Sequence, residues 1–148
     1  MTNDKNVMSK LNFDFSAIVQ NAKDVVIVTK AFPIDAPGPE IIYVNDAFTE
    51  TTGYSAEEVI GKTPRIFQKE GTDKEELSKI REALEKKEPV RVTLRNFSKS
   101  GKEYWVDISI LPLRDTEGNV THFASIQRDI TEYKKLEQDL QILCRTDP

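Results

Sequence analysis

From Val90 onward the apolar residues recur at every second position, the spacing of a strand with one face against a core. Val90, Val92 and Leu94 fall on one side, and an amide, Asn96, follows them there. Further on, Phe123, Ser125 and Gln127 share the inward side, with His122, Ala124 and Ile126 outward. Between these runs Trp105, Asp107, Ser109 and Leu111 face away from the core. Gly101 marks the turn between the first two strands, and Asp115-Thr116-Glu117-Gly118-Asn119 the turn between the second and third. Three antiparallel strands joined by hairpins are therefore expected in the second half of the chain.

The first half reads as two more strands and a set of short helices. Val25-Val26-Ile27-Val28-Thr29 is β-branched throughout, and Ile41-Ile42-Tyr43-Val44 follows a loop, Phe32 to Glu40, with three prolines and a glycine. Asn45 is placed to cap a short helix that closes at Gly53. Two capping boxes come next. Ser55-x-x-Glu58 opens a helix ending at Gly61, and Thr72-x-x-Glu75 opens a longer one with Leu77, Ile80 and Leu84 on its inner stripe. Phe13, Phe15, Ile18 and Val19 predict a short amphipathic helix before the first strand. The expected architecture is α+β: a five-stranded antiparallel sheet, its first two strands at the centre, helices on one face, and a flanking helix at each end. It divides the chain into a cap (1–21), a central domain (22–131) and a terminal helix (132–148).

Composition narrows the function. A length of 148 residues suits one domain with a pocket of a few hundred Å³. A net charge of −4 offers no basic stripe for nucleic acid, and no apolar run approaches a membrane span, so a cytoplasmic protein is expected. The one cysteine, Cys144, permits no internal disulfide. His122, the one histidine, points outward by alternation, which argues against a haem sensor. No nucleophile–base set or inward carboxylate pair argues for an enzyme.

The polar residues that remain converge on one place. In Gly61-Lys62-Thr63-Pro64-Arg65-Ile66-Phe67-Gln68 the proline suits the first turn of a short helix, on which Arg65 and Gln68 point the same way. Arg65 is a bidentate donor suited to phosphate, and Gln68 adds an amide. Asn96 and Gln127 are inward amides needing partners, and Ser125 between them leaves space. Either they bond backbone or water, or they line a wall for a planar heterocycle with donors and acceptors on its rim.

At these residues the chain resembles a PAS domain over residues 22–131, and within that superfamily the flavin-binding LOV branch. G-K-T-P-R-I-F-Q-K followed by Thr72-Asp73 is similar to that branch's G-x-N-C-R-F-L-Q-G and T-D, while Asn45, Phe48 and Thr52-Gly53-Tyr54 resemble the PAS pattern N-x-A-F and T-G-Y. The resemblance implies a flavin, FAD in preference to FMN, with Arg65 and Gln68 on the phosphate side. Asn96, in L-R-N-F, would take the pyrimidine edge, and Gln127, in S-I-Q-R-D-I-T, the ring nitrogen that changes protonation on reduction. Ile27 and Thr29 resemble positions that line the ring. Three positions depart from the pattern. Pro64 replaces the adduct-forming cysteine, Thr63 replaces a flavin-contacting Asn, and Val106 stands where a second ring-binding Asn follows the aromatic pair Tyr104-Trp105. Light-driven thiol chemistry is thereby excluded, and flavin binding is not. The rival readings are a cofactor-free dimerisation or linker module and a small-metabolite sensor.

Tyr133, Leu136, Leu140 and Leu143 follow 3-4-3 spacing near the end of the chain. This stripe suits either a homodimer through the flanking helices or a helix packed on its own sheet, where Trp105, Leu111, Ala124 and Ile126 form an outer apolar patch. A helix running into Thr146-Asp147-Pro148 resembles the approach to a diguanylate cyclase (GGDEF) domain, which implies an output domain in cis.

Overall fold

The computed structural model describes residues 22–35, 38–69 and 72–145, so the expected first helix and the Thr146-Asp147-Pro148 motif lie outside the described residues. Five strands form one antiparallel sheet: β1 (Val25–Lys30), β2 (Ile41–Val44), β3 (Val90–Phe97), β4 (Glu103–Arg114) and β5 (Val120–Asp129). Helices α1 (Asp46–Thr52) and α2 (Ala56–Val59), a 3-10 turn (Pro64–Phe67) and helix α3 (Lys74–Lys86) come between β2 and β3, and α4 (Thr131–Arg145) follows β5.

The order across the sheet is β2-β1-β5-β4-β3. The expectation that the first two strands are central is wrong: β5 holds the centre and β2 an edge. The three later strands pair in sequence, which leaves one edge of β5 open, and β1 takes it. Since β2 is already paired to the other side of β1, it can only be outermost. At four residues it is a short edge, and the chain just beyond α2 covers it, with Ile41 N–H donating to the Lys62 carbonyl at 2.7 Å and Gly61 N–H donating to the Ile41 carbonyl at 2.9 Å.

Local chemistry sets the helix ends. Asn45 Oδ1 accepts from the Phe48 N–H at 3.2 Å and from the Val26 N–H at 2.9 Å, so one side chain caps α1 and ties it to β1. Ser55 caps α2 as expected, accepting from the Glu58 N–H. Gly61 follows with φ of 90°, where a side chain would be strained. The cap of α3 is one residue later than expected. Asp73 accepts from the Glu75 N–H at 2.9 Å, while the Thr72 hydroxyl accepts from the Lys69 N–H at 3.1 Å and closes the preceding turn.

All four elements between β2 and β3 lie on the inner face of the sheet, and the core beneath them is split. One cluster joins β3, β4 and β5 to α3 through Leu84, Leu94, Val106, Ile108 and Phe123. The other joins β1 and β2 to α1, α2 and the 3-10 turn through Ile27, Ile41, Phe48, Val59 and Phe67. Phe67 anchors the turn, edge-on to both Phe48 and Tyr54, with ring centroids 5.6 and 5.7 Å apart.

Candidate functional site

Between the two half-cores lies a cavity of about 490 Å³, within the range of small-molecule sites. Its sheet wall carries Ile27, Leu94, Ile108, Ile110 and Phe123, and its helical wall Leu77, Ile80 and Leu84. Strand alternation aims Asn96 and Gln127 into the same space, with the hydroxyls of Thr29 and Ser125 nearby. Arg65, Gln68, Lys74 and Arg81 complete the lining. A flat ring gripped on two apolar faces and met at its edge by amides matches this donor set.

Seven of the nine residues singled out from the sequence line this cavity: Ile27, Thr29, Arg65, Gln68, Asn96, Ser125 and Gln127. The other two do not. Thr63 caps the 3-10 turn, its hydroxyl accepting from the Arg65 N–H at 3.4 Å, and so shapes the loop that carries Arg65. Val106 is 1% exposed and packed within the larger half-core. Pro64 does line the cavity, while Cys144 is exposed on α4, so the chain's one thiol is outside the site. His122 sits on the outer face of β5 with its Nδ1 2.8 Å from the Thr121 hydroxyl.

The inward amides are not unpaired, as the alternation alone suggested. Asn96 hydrogen-bonds the hydroxyl of Tyr104, its cross-strand partner on β4. Gln127 Nε2 donates to Ser125 Oγ at 3.1 Å. Neighbouring side chains supply these partners. An amide offers two donor and two acceptor positions, so both keep capacity for a ligand. Burial pushes the Tyr104 hydroxyl up to about 12, against the opposing pull of the Asn96 hydrogen bond. Tyr104 therefore stays neutral beside the amide.

The mouth is cationic, and sequence reasoning found only part of it. Arg81 and Lys74 were missed because they flank the inner stripe of α3 on positions that read as a solvated face. Arg65 is exposed at the mouth and has no carboxylate partner among the described residues. Gly38 lies against it, on a backbone with φ of 101° that favours glycine, and a Cβ there would stand 3.4 Å from Arg65 Nε. Arg81 is ion-paired to Asp35 and Glu85.

The PAS domain family matches residues 25–132, nearly the whole of the sheet and the elements packed on it. The chain belongs to the PAS family. Among its relatives, a blue-light-activated histidine kinase of Brucella anthropi is 37% identical over 117 residues, covering 79% of this chain and 23% of that protein. A bacterioopsin transcriptional activator of Halobacterium salinarum is 36% identical over 109 residues, 72% of this chain and 16% of the relative. The chain spans about a tenth to a quarter of the length of such curated relatives. Two solved structures share its shape. An RNA-binding light-oxygen-voltage receptor superposes with a TM-score of 0.78 at 33% identity, over 88% of this chain and 36% of that one. A light-oxygen-voltage domain studied with a flavin analogue gives 0.73 at 30% identity, over 88% of this chain and 95% of that one. The PAS fold with LOV-like homology is thus established for this chain, and no described helix is long and apolar enough to cross a membrane.

Proposed function

We propose that this PAS domain binds a flavin in the cavity and relays its state through β5 and α4 to an output domain. The observation that carries the reading is the convergence of Asn96 and Gln127, from different strands, on a 490 Å³ space with apolar walls and cations at its mouth. The relatives named for blue light and the light-oxygen-voltage structures support it. A bound flavin supplies visible absorption and reversible electron uptake; the chain supplies the rest. Arg65 and Arg81 would hold the phosphate end, Asn96 the pyrimidine edge, and Gln127 the edge that changes protonation.

Gln127 is built to report such a change. Its amide can donate through Nε2 or accept through Oε1, and turning it gives up the present bond to Ser125. Three residues on, Ile130 N–H donates to the Trp105 carbonyl at 2.9 Å, and Trp105 N–H donates to the Thr131 hydroxyl at 3.0 Å. A shift of β5 therefore reaches the first turn of α4 within four residues. Pro64 offers no sulfur and Cys144 is distant in the fold, so signalling would proceed without a bond between cysteine and the ring.

The purified protein should be yellow with the absorption of oxidised flavin, and heat should release the nucleotide for chromatography. FAD, preferred from the sequence, would leave its adenosine outside a cavity of this size, whereas FMN needs only the phosphate contacts at the mouth. A specific observation favours a second reading: both amides already have partners inside the protein, as a cofactor-free module requires. Protein that stays colourless after refolding with FAD and with FMN would overturn the flavin reading in favour of that one. A diguanylate cyclase output, a cytoplasmic location and self-association through α4 belong to the same proposal. The curated relatives include histidine kinases, so a kinase output competes with the cyclase.

A further inference from the structure

The two arginines at the mouth are not equivalent. Arg65 has no carboxylate partner among the described residues, whereas Arg81 carries two: Nε on Glu85 Oε1 at 3.2 Å, and Nη2 on Asp35. Glu85 lies one turn along the same helix and is always near. Asp35 comes from the loop between β1 and β2, 46 residues away in sequence, and the neighbouring Ile34 lines the cavity. Nothing in helix geometry requires that contact. We propose that Asp35 is an internal competitor for the ligand's phosphate, occupying Arg81 and setting how strongly the site prefers phosphorylated over unphosphorylated flavin. The inference rests on the flavin reading of the cavity.

A phosphate arriving at the mouth either displaces Asp35 from Arg81 or settles beside a like charge. Riboflavin, with the same ring and no phosphate, meets neither obstacle. Asparagine at position 35 keeps the size of the side chain and removes the charge, so it should improve phosphate binding alone. Both partners of the pair are more than half exposed, at 54% and 74%, and solvent screens them. The expected effect is accordingly modest.

The test is the ratio of riboflavin to FMN dissociation constants, measured by fluorescence quenching in wild type, Asp35→Asn and Arg81→Gln. Asp35→Asn should raise the ratio about two- to fivefold in favour of FMN, with the gain shrinking as salt is added. Arg81→Gln should lower it. Comparing two ligands on one variant cancels any common loss of folded protein. A ratio that Asp35→Asn leaves unchanged, or moves toward riboflavin, overturns the competitor role while the flavin site stands. Failure of both flavins to bind any of the three proteins overturns the reading of the cavity, and this inference with it.

Discussion

Asn96 and Gln127 reach one cavity from strands that are not neighbours, and a single hydroxyl steadies each. For Asn96 that hydroxyl is Tyr104, whose ionisation burial delays from 10.0 to about 12. Below pH 10 the phenol is neutral in both the folded and the unfolded chain. Between pH 10 and 12 the unfolded chain loses its proton first, so stability falls as pH rises, by about 2–3 kcal/mol in total. Tyr104→Phe should flatten that alkaline limb in pH-dependent melts and cost about 1 kcal/mol near neutrality, where it leaves Asn96 a partner short. A limb of unchanged steepness in the variant would assign it to other groups. Gln127→Leu keeps the volume, so flavin should still bind, losing about 1 kcal/mol. Hydrogen exchange in α4, which should differ between oxidised and reduced wild type, should no longer differ in the variant. A full difference there would move the exit route to the segment from Gly61 to Lys69 that carries Arg65 and Gln68. These inward residues were legible because the two-residue period fixes a face. Thr63 and Val106 were not, because a matched position says where a residue sits and not what a replacement does. A threonine there turned to cap, and a valine sank into the core.

Among the elements, α3 is both wall and boundary. It contributes Leu77, Ile80 and Leu84 to the cavity while its own start depends on Asp73. Asp73→Ala should cost about 1 kcal/mol in thermal or urea unfolding, the usual loss for a capping carboxylate. Thr72→Ala would act on the preceding turn instead, so exchange protection in the first turn of α3 should fall in the first variant and persist in the second. The capping-box pattern could not separate them, since Thr72 and Asp73 are both competent caps and loop geometry chose. Strand order was hidden for a different reason. Alternation tells each strand which face is buried, but its neighbour is decided by contacts far apart in sequence. The pairing of Val25 with Gln127 spans the domain and leaves no local trace.

At the scale of the whole molecule, α4 leaves the sheet with Tyr133, Leu136, Leu140 and Leu143 between 62% and 66% exposed. Its first turn meets its own sheet, where Lys134 Nζ stands 5.2 Å from the Trp105 ring centre. If the stripe joins two copies, wild type should sediment as a dimer, and Leu136→Glu with Leu140→Glu should sediment as a monomer with an unchanged absorption spectrum. A dimer in the double variant would place the contact on the outer sheet face, around Leu111 and Ile126.

The divided core has a further meaning for such a chain in a cell. If a ligand takes the space between the two apolar halves, then at a hundred times its dissociation constant it would add about 2.7 kcal/mol to folding. Against a total of 5–15 kcal/mol for ordinary domains, that separates chains that last from chains that proteases find first. The amount of this protein would then follow the supply of its small molecule before any signal is sent, and newly made copies would be sorted by whether they had found it.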